Sequence, residues 1–124
     1  MEAKKVLVTD DEKTNRGCLV EVLRQCLKEL HYTGQLEIHE ASNGSEAVEK
    51  AKENEYIVIY MDVDMPGLDG IEATKKIREF SEVPIYFLTS SHLEEQVWKS
   101  VRATDYIPKD STNKLKESLE QYLK

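Results

Sequence analysis

Apolar and polar positions alternate along the chain in two rhythms, one of period two and one of helical period. Val6-Leu7-Val8 is a short apolar run that predicts a buried strand, and after Asp10-Asp11 the positions Leu19, Leu23, Cys26 and Leu30 recur at helical spacing. His31-Tyr32-Thr33 is expected to extend that helix until Gly34 breaks it. Leu36-Glu37-Ile38-His39-Glu40 alternates apolar with polar, the pattern of a strand half exposed at a sheet edge. Asn43-Gly44 turns the chain, and Ser45 is placed to cap a helix carrying Ala47, Val48 and Ala51 inward. Tyr56-Ile57-Val58-Ile59-Tyr60-Met61 is continuously apolar, as expected of a central strand covered on both faces. Met65-Pro66-Gly67 makes a loop before a helix marked by Ile71, Thr74, Ile77 and Phe80. Pro84 opens a fourth strand, Ile85-Tyr86-Phe87-Leu88. Leu93, Val97 and Val101 then mark a helix, Asp105-Tyr106-Ile107 a short strand, and Leu115, Leu119 and Tyr122 a last helix.

Five strand–helix units in succession predict an α/β fold, with a parallel sheet, right-handed crossovers and helices on both faces. No linker, repeat or low-complexity tract interrupts the pattern, so residues 1–124 are expected to form a single domain with no output domain. With 40% hydrophobic and 33% charged residues, enough apolar surface accompanies the polarity to fold a core. Seventeen basic against 24 acidic residues leave a formal charge of −7, which opposes direct binding to nucleic acid or an anionic membrane. No apolar run approaches the ~20 residues of a membrane span, and none at the start has signal-peptide length. A cytoplasmic location is expected. Cys18 and Cys26 share one predicted helix, about 12 Å apart at ~1.5 Å per residue, and are read as reduced, small core residues.

The chemistry is expected where the strands end. Asp10-Asp11 follow the first strand, Asp62 the third, Thr89 the fourth and Lys109 the fifth. Ligands of open parallel sheets bind beyond the carboxyl ends of the strands, so these five side chains should converge. Any one of them alone is more simply a turn former or helix cap; all five in that position are not. Carboxylates gathered this closely repel one another unless a cation joins them, and hard oxygen donors favour Mg²⁺. In such a site Asp62 can act as a carboxylate nucleophile toward phosphorus, with Lys109 and Thr89 meeting the phosphoryl oxygens.

At these residues the chain resembles the receiver domain of two-component response regulators. The matching pieces are Val6-Leu7-Val8-Thr9-Asp10-Asp11, Tyr60-Met61-Asp62-Val63-Asp64-Met65-Pro66-Gly67-Leu68-Asp69-Gly70, Phe87-Leu88-Thr89 and Asp105-Tyr106-Ile107-Pro108-Lys109, and the resemblance in which they stand runs over essentially the whole chain. The resemblance implies a flavodoxin-like (βα)5 three-layer sandwich with strand order 2-1-3-4-5. It also implies phosphorylation of Asp62 by a phosphohistidine on a sensor histidine kinase or histidine phosphotransfer protein. Mg²⁺ would be held by Asp11, Asp62 and the Asp64 backbone carbonyl, with Asp10 acting through water. Thr89 and Tyr106 would form the switch, read by an effector protein on the fourth helix, fifth strand and fifth helix, from His92 through Tyr106 to Tyr122. The kinase-side partner is expected near Asn15 and Arg16. Asp64 and Ser91 occupy positions that in receivers tune hydrolysis of the acyl phosphate.

Three positions depart from the family pattern. Asp110 replaces the usual proline after Lys109; a non-proline cis bond costs ~3 kcal/mol, so this loop is expected to run trans and to displace Lys109. Arg102 stands where a glycine commonly ends the fourth helix, and Ser90 where a small alanine follows the threonine. Two other readings stay open. Asp62-Val63-Asp64 also resembles the Asp-x-Asp opening of haloacid-dehalogenase-type phosphohydrolases, although Met65-Pro66 and the short chain fit them poorly. A non-phosphorylated pseudo-receiver would serve only as a docking module. A flavin-binding flavodoxin is set aside, because Asp10-Asp11 would repel the flavin phosphate. His31, His39 and His92 have no metal-ligand spacing, and Trp98 is read as a core-edge residue.

Overall fold

The computed structural model describes residues 3–63, 65, 69–90 and 93–123. Five strands and five helices alternate: β1 (Lys4–Thr9), α1 (Lys13–Glu29), β2 (Leu36–Ala41), α2 (Gly44–Glu53), β3 (Val58–Asp62), α3 (Gly70–Ile77), β4 (Ile85–Thr89), α4 (Glu95–Ser100), β5 (Asp105–Pro108) and α5 (Thr112–Leu123). All strand pairs are parallel, in the order β2-β1-β3-β4-β5. This is the flavodoxin-like α/β sandwich expected from the sequence, with the alternating β2 at one edge.

The period-two alternation sorts the sheet's side chains into two layers. Val6, Val8, Val58, Tyr60, Tyr86 and Leu88 face α1 and α5, where Leu23, Cys26, Leu115 and Leu119 cover them. Leu7, Ile59, Met61, Ile85 and Phe87 face the other way, against Ala47, Val48, Ala73 and Ile77 of α2 and α3. The first layer also contains hydroxyl pairs. Tyr60 Oη lies 2.7 Å from Ser118 Oγ and Tyr86 Oη lies 3.1 Å from Tyr122 Oη, tying β3 and β4 to α5. The Lys4 ammonium donates to the Leu123 carbonyl at 3.1 Å, at the end of α5. On the opposite layer α4 has no fully buried side chain. Its Trp98 packs on the core edge with a buried indole N–H that has no hydrogen-bond partner among the described residues.

Several expected boundaries move, each for a local reason. The first helix stops at Glu29, before Gly34, because His31 takes a left-handed conformation (φ 54°). His31 N–H donates to the Lys28 carbonyl (3.1 Å) and Tyr32 N–H to the Leu27 carbonyl (3.0 Å), the paired bonds of a Schellman stop. The same stop ends α4: Arg102 (φ 60°) donates to Lys99 and Ala103 to Trp98. Asn43, not Ser45, caps α2, its side chain accepting from Glu46 N–H at 2.8 Å. The third strand starts at Val58, two residues after Tyr56. Phe80 lies past the end of α3 and is 43% exposed, and Cys18 is exposed while Cys26 is buried. Cys18 is therefore not a core residue: it sits beside the Leu19–Leu23–Cys26 stripe, not on it. No helix among the described residues is long and apolar enough to cross a membrane.

Candidate phosphoryl-acceptor site

The parallel register brings the strand ends to one edge of the sheet. Thr9 is level with Met61, Asp62 with Leu88, and Thr89 with Pro108. Asp10, the next residue after β1, therefore lies beside Asp62, which ends β3. Asp10, Asp11 and Asp62 each offer a carboxylate oxygen, and these oxygens lie within 4.8 Å of one another. Asp10 is 3% exposed and Asp62 2%, whereas Asp11 is open to solvent. Water screens two of the three charges poorly, so their repulsion must be met by fixed positive groups or a bound cation.

Lys109 supplies one such charge, its Nζ 3.4 Å from Asp62 Oδ1. The loop carrying it runs trans, since the described residues hold no cis peptide bond, as the loss of proline at Asp110 predicts. The expected displacement of Lys109 is not seen: its main-chain N–H donates to the Thr89 carbonyl at 2.8 Å and its ammonium reaches Asp62. Thr89 is buried at the end of β4, one strand over from Asp62. Tyr106 is half-buried on β5, with the Lys114 ammonium 5.1 Å from its ring centroid. Asp64, Ser91 and His92, together with Pro66-Gly67 of the expected loop, lie outside the described residues.

Two contributors were not evident as site residues from spacing. Gly70 starts α3 directly against the nucleophile's main chain: a Cβ there would lie 2.2 Å from the Asp62 carbonyl oxygen and 2.9 Å from Met61 Cγ. Only a glycine lets the helix approach this closely. Arg16, near which the kinase-side partner is expected, has its side chain largely covered. Its Nη1 donates to the Asp10 carbonyl at 2.8 Å and its Nε to Glu40 Oε1 at 3.1 Å. A cavity of about 200 Å³ opens next to the acidic site between α1 and α5, bordered by Asp10, Asn15, Leu19, Leu88, Lys109 and Leu115.

A doubly wound sheet with an acidic pocket and one lysine at its switch point defines a class of anion- and cation-handling α/β domains. Comparison with known proteins narrows that class. Residues 6–120 match the response regulator receiver domain family, and the chain belongs to it. The transcriptional regulatory protein SrrA of Staphylococcus aureus is 38% identical over 109 residues, 86% of this chain and 42% of SrrA. The chain thus spans less than half the length of the curated relatives it matches. Among solved structures, Vibrio cholerae chemotaxis protein CheY4 is similar with a TM-score of 0.79 at 29% identity, covering 98% of this chain and 99% of CheY4. Response regulator TrrA of Thermotoga maritima, solved with Mg²⁺-BeF, has a TM-score of 0.74 at 30% identity over 96% of this chain and 98% of its own. The receiver domain of a Pseudomonas aeruginosa sensor histidine kinase, with magnesium in its active-site cleft, has a TM-score of 0.80 at 25% identity over 98% of each chain. Receiver domains are the phospho-accepting switches of two-component signalling, and these matches favour neither the phosphohydrolase nor the docking-only reading.

Proposed function

We propose that Asp62 accepts a phosphoryl group from a phosphohistidine on a sensor histidine kinase or phosphotransfer protein, and that residues 1–124 act as one receiver unit. One observation carries this reading: the carboxylates of Asp10, Asp11 and Asp62 converge beside the Lys109 ammonium at the strand ends. The donor set is hard oxygen throughout and carries excess negative charge, which fits Mg²⁺, with Asp11, Asp62 and the Asp64 carbonyl as ligands and Asp10 acting through water. When bound, Mg²⁺ would offset charge on the incoming phosphoryl oxygens.

The chain's own groups account for the rest. A carboxylate oxygen of Asp62 attacks phosphorus, the P–N bond to the donor histidine breaks, and the imidazole leaves with the bonding pair. Lys109, already against Asp62, follows the charge onto the phosphoryl oxygens, and the Thr89 hydroxyl donates to one of them. Tyr106 then turns toward the space Thr89 vacates, and the surface of α4, β5 and α5 changes for an effector protein. The apolar cavity beside Asp10 and Lys109 supports a kinase-side partner seated between α1 and α5. Asp64 would tune the acyl-phosphate lifetime; an Asp64→Asn protein with an unchanged dephosphorylation rate removes that role.

Intact-mass measurement with acetyl phosphate tests the reading. The wild type should gain one phosphoryl group with Mg²⁺ and none after chelation, and Asp62→Asn should gain none. A wild type that stays unmodified in Mg²⁺ overturns it.

A further inference from the structure

β1 ends at Thr9, and Asp10, one residue on, takes the last ladder bond to β2 and finds its other partners outside the sheet. Three hydrogen bonds fix it. Its N–H donates to the Ala41 carbonyl at 3.1 Å, its Oδ1 accepts from Glu12 N–H at 2.9 Å, and its carbonyl accepts from Arg16 Nη1 at 2.8 Å. The last bond spans six residues of chain and joins the first turn of α1 to the end of β1. The same guanidinium holds Glu40 of β2 through Nε at 3.1 Å, and the Lys50 ammonium donates to the Glu40 carbonyl. The Arg16 side chain is only 14% exposed, and its bond to the Asp10 carbonyl is partly buried, whereas the Glu40 carboxylate lies open to solvent. A planar guanidinium can serve two acceptors at fixed angles, which an ammonium cannot.

We propose that Arg16 is a positioning residue for the acidic pocket. By joining the Asp10 carbonyl to Glu40, it locks the β1–α1 turn so that Asp10 and Asp11 meet Asp62, and it keeps Glu40 paired outside the cluster. This rests on the reading of the three carboxylates as the cation site. Without Arg16 the Asp10 carbonyl loses a charge-assisted partner. The turn, bearing two carboxylates that repel Asp62, is then free to open. Cation affinity falls because the site must first be reassembled.

The test is Mg²⁺ binding by calorimetry, without phosphodonor, beside amide hydrogen exchange of Asp11 and Glu12 in the metal-free protein. Arg16→Gln should weaken Mg²⁺ binding about tenfold, the scale of losses when groups supporting metal ligands are removed. Exchange at Asp11 and Glu12 should quicken while amides in β3 keep their protection. Arg16→Lys should fall between Arg16→Gln and wild type. Glu40→Gln should weaken binding less than Arg16→Gln, and the double variant should be no weaker than Arg16→Gln alone. Wild-type affinity in Arg16→Gln overturns the proposal; if that variant does not fold, wild-type affinity in both Arg16→Lys and Glu40→Gln does so instead. Unchanged affinity with slower phosphorylation from a kinase, but not from acetyl phosphate, also overturns it and returns Arg16 to a docking role. A wild type that binds no Mg²⁺ and takes no phosphoryl group removes the underlying reading, and this one with it.

Discussion

Asp62 carries a buried negative charge next to two others, an arrangement suited to chemistry and unfavourable for the folded state. Asp62→Asn should therefore stabilise the metal-free protein by about 1 kcal/mol, although it also ends the contact with Lys109. Urea unfolding in a chelator, with wild type and variant side by side, measures this. Thr9 poses a different problem: its hydroxyl is buried without a hydrogen-bond partner among the described residues. Thr9→Val keeps the shape and removes the orphan group, so it should gain about 1 kcal/mol in the same assay. Asp10, Asp11, Asp62, Thr89 and Lys109 were legible in the sequence because each directly follows an apolar strand, and parallel strands end together. Arg16 was legible only as a residue near the expected kinase-side surface. One of its two partners is a main-chain carbonyl, and such a bond leaves no mark on residue spacing. Gly70 was visible within its motif, but its reason, a helix start pressed on the Asp62 carbonyl, needs coordinates.

At the scale of elements, order and topology followed from the alternation of patterns, while helix ends did not. Gly34 reads as a stop, yet the chain had already turned at His31, where a left-handed histidine costs only about 1 kcal/mol and the Schellman bonds offset it. His31 is exposed, so His31→Gly should relieve that strain and raise stability by about 0.5–1 kcal/mol. Arg102 occupies the same backbone conformation but has contacts that glycine would remove. Its Nη1 lies 2.7 Å from Glu82 Oε1 and its Nη2 donates to the Arg78 carbonyl at 3.1 Å; Arg78 Nε donates back to the Arg102 main-chain carbonyl at 3.0 Å, a bond that glycine would keep. This mutual clasp joins the ends of α3 and α4, and burial holds the Arg78 guanidinium below its ordinary pKa. Arg102→Gly should therefore gain less than His31→Gly, or lose stability. Thermal unfolding of the two variants settles the order. The capping of α2 by Asn43 in place of Ser45 has a similar origin: both residues can cap, and the turn geometry chose between them.

For the molecule as a whole, buried phenols in both layers make stability depend on alkaline pH. Burial pushes the Tyr56 phenol up to about 12, and burial likewise raises those of Tyr60 and Tyr86 above the usual range. A raised folded-state value means that the stabilisation is complete below the ordinary phenol value of about 10 and is lost as pH climbs through the folded value. Denaturant midpoints should therefore hold up to about pH 10 and decline from there to about 12. Tyr60→Phe should shallow the decline, while also losing the bond to Ser118. The charge of −7 belongs to this scale too, and it was fully legible: the acids outnumber the bases, and some of that excess is gathered in the site. The layer that holds α4 has a consequence for experiment. Trp98 is the chain's single tryptophan, and it sits on α4, the helix that anchors no fully buried side chain. Unlabelled protein thus carries one tryptophan fluorophore on the surface proposed for the effector, and its ultraviolet emission would register rearrangement of that helix in real time, with Trp98→Phe as the control.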